Sequence, residues 1–248
     1  MCEYRILIPS YLRAETQSTV ELLSGAYSPA EIIVSTQTRE DYEQYRAKWL
    51  DKATVIYLEG HSVGDNRNTL LRWCEANGVT QAIMLDDDIS GIQMYNKEVL
   101  KDAQSIRRLF ESCIKMAQQC KATVFGSYPV SNPLMMSSTV TVNNIMIGTF
   151  LGILDTSLRF DTRYRVKEDY EFCLRVMSRG GKVLRFNNFA PRARHKSAGG
   201  CLADFNDVSR YPIYAQMLME QYPQYIKANQ SRVGEVRYIG PSKVIKIR

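Results

Sequence analysis

The chain has 248 residues and a formal net charge of +6, with 45% hydrophobic and 23% charged residues. That is the length and composition of one globular α/β domain with a sizeable core, which needs no disulfide or metal staple to fold. No apolar run approaches membrane-spanning length, and Met1-Cys2-Glu3-Tyr4-Arg5 lacks the layout of a secretion signal, so a cytoplasmic protein without a membrane partner is expected. Residues 5–8 read as a short apolar strand, and Ser10-Tyr11-Leu12-Arg13 opens a helical stretch through Val20 and Leu23. Residues 31–35 read as a second strand. Tyr42, Tyr45 and Trp49 share a face of a second helix, and residues 54–58 form a third strand. A helix beginning near Asp65 carries Leu70, Leu71 and Cys74 until Asn77-Gly78 stops it, and residues 82–85 form a fourth strand. Strands alternating with helices predict a mainly parallel sheet, whose ligands bind beyond the carboxyl ends of the strands.

Further along, Ile106, Phe110, Cys113 and Ala117 outline a helix and residues 122–125 a strand, whereas residues 131–141 have no clear period and read as mobile. Residues 143–154 are apolar and punctuated by Gly148 and Gly152, the pattern of buried strand with close backbone approach. A helix starts at Glu168-Asp169 and runs to Gly180-Gly181. Residues 182–186 are another strand, and a helix around residues 214–219 precedes a tail rich in Tyr and Lys. The six cysteines show no zinc-ligand spacing and read as free thiols, and there is no internal repeat.

The fourth strand runs straight into Asp86-Asp87-Asp88. Three adjacent carboxylates repel one another, and in a partly enclosed site the repulsion raises a pKa unless a cation neutralises it. Side chains alternate along an extended chain, so Asp86 and Asp88 reach one side while Asp87 faces away. So few hard oxygen ligands favour Mg²⁺ or Mn²⁺, with phosphate and water completing the shell. The alternative for the run taken alone is an acidic turn.

Four motifs occur in order: Ile6-Leu7-Ile8-Pro9-Ser10-Tyr11-Leu12-Arg13, Gly64-Asp65-Asn66-Arg67-Asn68, Met84-Leu85-Asp86-Asp87-Asp88-Ile89 and Lys167-Glu168-Asp169-Tyr170-Glu171-Phe172. Together they resemble family-2-like glycosyltransferases of the GT-A fold, a Rossmann-like α/β class with a mixed, mainly parallel sheet flanked by helices. The chain looks most similar to the small enzymes associated with phage hypermodified DNA bases and with TET/JBP-type hydroxylases, partly because His195-Lys196-Ser197-Ala198-Gly199-Gly200 follows the acidic helix. The resemblance implies a single domain, with a nucleotide-sugar-binding half (1–95), an acceptor or catalytic half (96–205) and a C-terminal helix and tail (206–248).

It also implies residue roles. Pro9, Ser10 and Arg13 would line the nucleotide pocket. Asp65, Arg67 and Asn68 would meet the donor at a helix N-terminus, where free N–H groups and the dipole favour anions, with Asp65 as the alternative helix cap. Asp86 would touch the ribose, Asp87 would stand in the donor site or be partly structural, and Asp88 would hold a metal bridging two phosphates. Asp169 would be the general base and Glu168 a supporting acid, although a helix N-terminus lowers a carboxylate's pKa and burial must compensate. His195, kept neutral by Arg192, Arg194 and Lys196, would complete the metal shell, and those three basic residues would hold the diphosphate or acceptor. His61 has no motif around it.

The expected activity is therefore metal-dependent transfer from a nucleoside diphosphate sugar, UDP-linked, to a hydroxyl, the favoured acceptor being 5-hydroxymethylpyrimidine in DNA. A saccharide or protein acceptor is the alternative, as is a non-catalytic nucleic-acid-binding module of the same fold. A sugar nucleotidyltransferase would need a Gly-rich loop after the first strand, which Pro9-Ser10-Tyr11-Leu12 does not offer.

Overall fold

The computed structural model describes residues 3–60, 62–96, 99–193 and 211–247. The first unit runs β1 (Arg5–Pro9), α1 (Thr19–Ser24), β2 (Ile32–Thr36), α2 (Arg39–Trp49), β3 (Thr54–Tyr57), α3 (Val63–Ala76) and β4 (Ala82–Leu85). There follow β5 (Ile89–Asn96), β6 (Val99–Asp102), α4 (Ile106–Gln119), β7 (Val124–Ser127), β8 (Thr139–Val142), β9 (Phe150–Ile153), α5 (Glu168–Ser178), β10 (Val183–Phe186) and β11 (Phe189–Ala193). The C-terminal part holds α6 (Tyr211–Gln221), β12 (Ile226–Ala228), β13 (Val236–Tyr238) and β14 (Lys243–Lys246).

Nine strands form one sheet in the order β14-β8-β10-β7-β9-β4-β1-β2-β3, in which β8 and β9 alone run against the rest. Both faces are covered, which is why β2 and β4 are continuous buried runs without an outward polar side. Ile6, Ile8, Val34 and Leu85 face α1, α2 and α4 with Tyr45, Phe110 and Phe150, while Leu7, Ile33 and Met84 face α3, α5 and α6 with Leu70, Phe172 and Leu218. Among the described residues no helix is long and apolar enough to cross a membrane.

A second, three-stranded sheet, β11-β5-β6, begins where the acidic run ends. β4 thus belongs to the large sheet and β5 to the small one, and the three aspartates span the passage between them.

Four expectations change. The helix predicted from Ser10 begins only at Thr19, because Leu12 takes a left-handed backbone (φ 55°) and turns the chain beforehand. Residues 143–154 are strand only over β9, since Asn143 is also left-handed (φ 59°). The stretch without period runs into β8, which pairs β10 through three residues on one side and β14 through four on the other. The C-terminal tail forms a hairpin and an edge strand of the main sheet.

Candidate active site

The acidic run is held by α1 and by the end of β1. Asp86 N–H donates to the Thr149 carbonyl at 3.3 Å, which continues the β4–β9 pairing. The Thr19 hydroxyl donates to the Asp86 carbonyl (2.6 Å) and accepts from Ile89 N–H (2.9 Å), so one side chain clasps both ends of the turn. The Asp87 carbonyl takes the N–H groups of Ser18 and Thr19. Its carboxylate points inward, accepting from Ser10 Oγ at 2.5 Å and from Arg13 at 2.6 Å, and the Tyr45 hydroxyl lies 2.5 Å behind Ser10. Burial pushes the Asp87 carboxyl up, against the opposing pull of Arg13 and Ser10.

Asp87 and Arg13, both predicted at the donor site, hold each other inside the protein. Asp87 is internal and packs the turn. Arg13, with a side chain only 10% exposed, is anchored on Asp87 and reaches Asp88 at 3.4 Å. Asp86 and Asp88 are partly exposed, with side chains 35% and 15% exposed, and because residues 87 and 88 form a turn Asp88 shares Arg13 with Asp87. Pro9 and Ser10 close β1, where Ser10 N–H donates to the Ser35 carbonyl.

The start of α3 is also largely internal. Ser62 caps it by accepting from Asp65 N–H, and its hydroxyl donates to the Asp65 carboxylate, so Asp65 is not the cap. Asn66, to which no role was assigned, joins two strand ends by donating to the Ser10 carbonyl (2.9 Å) and accepting from Ser35 Oγ. Asn68 spends both ends of its amide on the Phe160 backbone, at 3.0 and 2.7 Å, which ties α3 to that segment.

Arg67 was expected to add charge to an open helix N-terminus; its side chain is in fact 4% exposed. It lies 2.9 Å from Glu168 and 3.4 Å from Asp86, with its guanidinium over the Phe160 ring. A buried cation thus joins the end of β4 to the start of α5.

Lys167 precedes α5 in a left-handed conformation (φ 62°), which costs a residue other than glycine on the order of 1 kcal/mol. Glu168 behind it is buried. Asp169 is partly exposed, its two carboxylate oxygens accepting from Gly148 N–H (2.7 Å) and Tyr170 N–H (2.8 Å). Desolvation raises the pKa of both acids, Glu168 to about 8, with Arg67 opposing the rise. The compensation that a base at a helix start requires is therefore present. Gly148 is adjacent in sequence to Thr149, so the backbone that fixes Asp86 also fixes Asp169.

A profile of the TET-associated glycosyltransferases matches residues 4–200. The chain belongs to this family. Among solved structures, this glycosyltransferase is similar to a protein from Desulfovibrio desulfuricans G20 described as a nucleotide-diphospho-sugar transferase (11% identity, TM-score 0.47, 90% of this chain and 99% of that one). It is also similar to a cytidylyltransferase from Leptospira borgpetersenii (10%, TM-score 0.46, 90% and 96%) and to a UDP-glucose pyrophosphorylase complexed with UDP-glucose (10%, TM-score 0.41, 77% and 92%). No match was found among curated proteins.

Around the glycosyltransferase site, Arg192 stands exposed on β11, its guanidinium lying over Gly91 and donating to the Ser90 carbonyl at 3.3 Å. It is 3.7 Å from Asp102 and lines a shallow cleft with Val130 and Thr149. Arg194, His195, Lys196 and His61 lie outside the described residues. Among the described residues no three His, Cys, Asp or Glu side chains converge to cage an ion. Asp86 and Asp88 are the two carboxylates here that a Mg²⁺-like ion would have to use, and each stands 3.4 Å from an arginine, Arg67 and Arg13 respectively.

Gly148 is a site residue that the sequence reading noticed only as a close backbone approach. A Cβ there would fall within the Arg67 guanidinium, so Gly148→Ala must displace Arg67 or the backbone beneath Asp169. The expected loss of stability is about 1–3 kcal/mol, measured by urea unfolding, and an unchanged midpoint would overturn this packing account.

Proposed function

We propose that this glycosyltransferase takes its sugar from a UDP-linked donor, with Mn²⁺ or Mg²⁺, and delivers it to the hydroxyl of a 5-hydroxymethylpyrimidine in DNA. The observation that carries the reading is the placement of the partly exposed Asp86 and Asp88 one backbone step, through Thr149 and Gly148, from an acid pair with raised pKa. In the proposed reaction Asp169 accepts the proton of the acceptor hydroxyl. The acceptor oxygen bonds to the anomeric carbon, and the electron pair of the breaking glycosidic bond leaves with the diphosphate. A divalent cation supplies charge neutralisation to that leaving group, an interaction stronger in the transition state than in the ground state. Asp86 and Asp88 would hold it. Glu168, ion-paired to Arg67, keeps that cation between the donor and acceptor acids. The net charge of +6 and the TET association in the family's description support a DNA acceptor.

The test is mass spectrometry after incubation with a panel of nucleotide sugars and acceptors that includes hydroxymethylcytosine DNA, saccharides and peptides, with Mn²⁺ or with chelator. One hexose or pentose added to the DNA is expected, lost with chelator and in Asp88→Ala while circular dichroism stays native. Transfer undiminished by Asp88→Ala would sink the metal role, and transfer to saccharide alone would sink the DNA acceptor.

A further inference from the structure

Lys167 is a buried lysine in a conformation that favours glycine, directly before the acid pair, and no role proposed above explains it. Its ammonium is 2.7 Å from Glu235 and sits over the rings of Tyr170 and Tyr211, at 5.3 and 5.4 Å from their centroids. Glu235 belongs to the β12–β13 hairpin. Its carbonyl accepts from Asn229 N–H at 2.9 Å, which closes the loop. Gly234 beside it takes a positive φ of 77° and lies against Tyr211 and Pro212 at the start of α6, so the loop is seated on that helix. The hairpin therefore grips the residue whose backbone turn sets the direction from which Glu168 and Asp169 enter the site. It lies beyond residues 4–200, the part that the family profile matches.

We propose that Lys167 is a positioning residue for Asp169, and that the C-terminal hairpin, through Glu235, is the latch that holds it. The mechanism is geometric. A left-handed residue ahead of a helix is unfavourable by itself, and a charge-assisted contact between two aromatic rings supplies what keeps it there. With the latch in place, the Asp169 carboxylate stays on the Gly148 and Tyr170 amides, facing the acceptor side. When it is released, the first turn of α5 relaxes toward an ordinary cap and the carboxylate leaves that position. Lys167 touches no reacting atom in this account.

The catalytic consequence rests on Asp169 being the base, as proposed above, whereas the positional one does not, and the experiment separates them. Lys167→Met and Glu235→Gln are compared with wild type and with Lys167→Arg, which restores the cation. Amide hydrogen exchange reads the position of Asp169. Exchange at Gly148 and Tyr170 should quicken about tenfold in the two uncharged variants, while Leu174 and Val176 in mid-helix stay as in wild type. In sugar transfer, kcat should fall about tenfold with the dissociation constant for UDP and Mn²⁺ within twofold, and Lys167→Arg should recover most of the loss. Unchanged exchange at Gly148 and Tyr170 would overturn the latch, as would faster exchange along the whole of α5 or donor affinity falling in step with kcat. A wild-type protein that transfers no sugar would overturn the functional reading and leave the exchange data to decide the latch.

Discussion

Asp169→Asn is expected to bind the donor as wild type does and to lose turnover by about two to four orders of magnitude, the usual contribution of a positioned general base. An amide fills the same space and can still accept from Gly148 N–H, giving up only the acceptor that Asp169 offers Tyr170 N–H, so the fold is kept and the loss is mainly chemical. The pH dependence adds a second reading. Burial raises the Asp169 pKa and the charge of Asp86 raises it further, against Arg67 and the Gly148 and Tyr170 amides, so the base form is lost as pH falls through a value above the usual aspartate range. Wild-type kcat should therefore decline on the acid side nearer neutrality than an exposed aspartate would produce. Residual turnover in Asp169→Asn should lack that limb. Normal turnover in the variant, or the same acid limb in both proteins, would remove Asp169 from the role of base.

Arg67→Met is expected to cost about 3–5 kcal/mol once Glu168 is ionised, because it strips a buried carboxylate of its cation. The sign with pH is distinctive. Glu168 already has a folded-state pKa raised from 4.5 to about 8, and Arg67 is the main influence holding it down. A group with a raised folded pKa favours the folded state below its unfolded pKa, and this advantage is lost as pH rises through the folded one. Without Arg67 the folded pKa rises further. The variant should thus be closest to wild type below about pH 7, where Glu168 is protonated in both folded proteins, with the gap opening as pH rises from about 7 through 9. Urea unfolding across that range is the measurement, and a penalty independent of pH would show that the Arg67 contribution is packing against Phe160 and not charge.

The parallel half of the main sheet was legible in the sequence because β1, β2, β3 and β4 are short apolar runs separated by periodic helices. The burial of Asp87 agrees with strand alternation only in outcome, because residues 87 and 88 form a turn in which Arg13 reaches both Asp87 and Asp88. What could not be read depends on partners far away in the chain. The inward turn of Arg67 needs Gly148, which leaves room for its guanidinium, and Glu168, which meets it. The clasp made by Thr19 joins α1 to a turn that lies far beyond it in sequence. β5 reads Ile-Ser-Gly-Ile-Gln-Met-Tyr-Asn and keeps no clean alternation, and its partner β11 lies beyond β10, so local pattern could not reveal the small sheet. The Lys167–Glu235 pair is legible in neither segment alone.

The passage of the chain from the large sheet to the small one has a consequence for how this enzyme can diversify. Asp86 hangs from β4 and β9, while Asp88 begins the walk into β5, whose neighbours are β6 and β11. Asp87, clamped by Ser10 and Arg13, is the rivet between the two. One wall of the cleft can therefore drift through β5, β6 and β11 while the other, built on β1 and β4, stays as it is. In such a layout the two walls of the cleft can vary separately, and the three-residue acidic run is where they are riveted together.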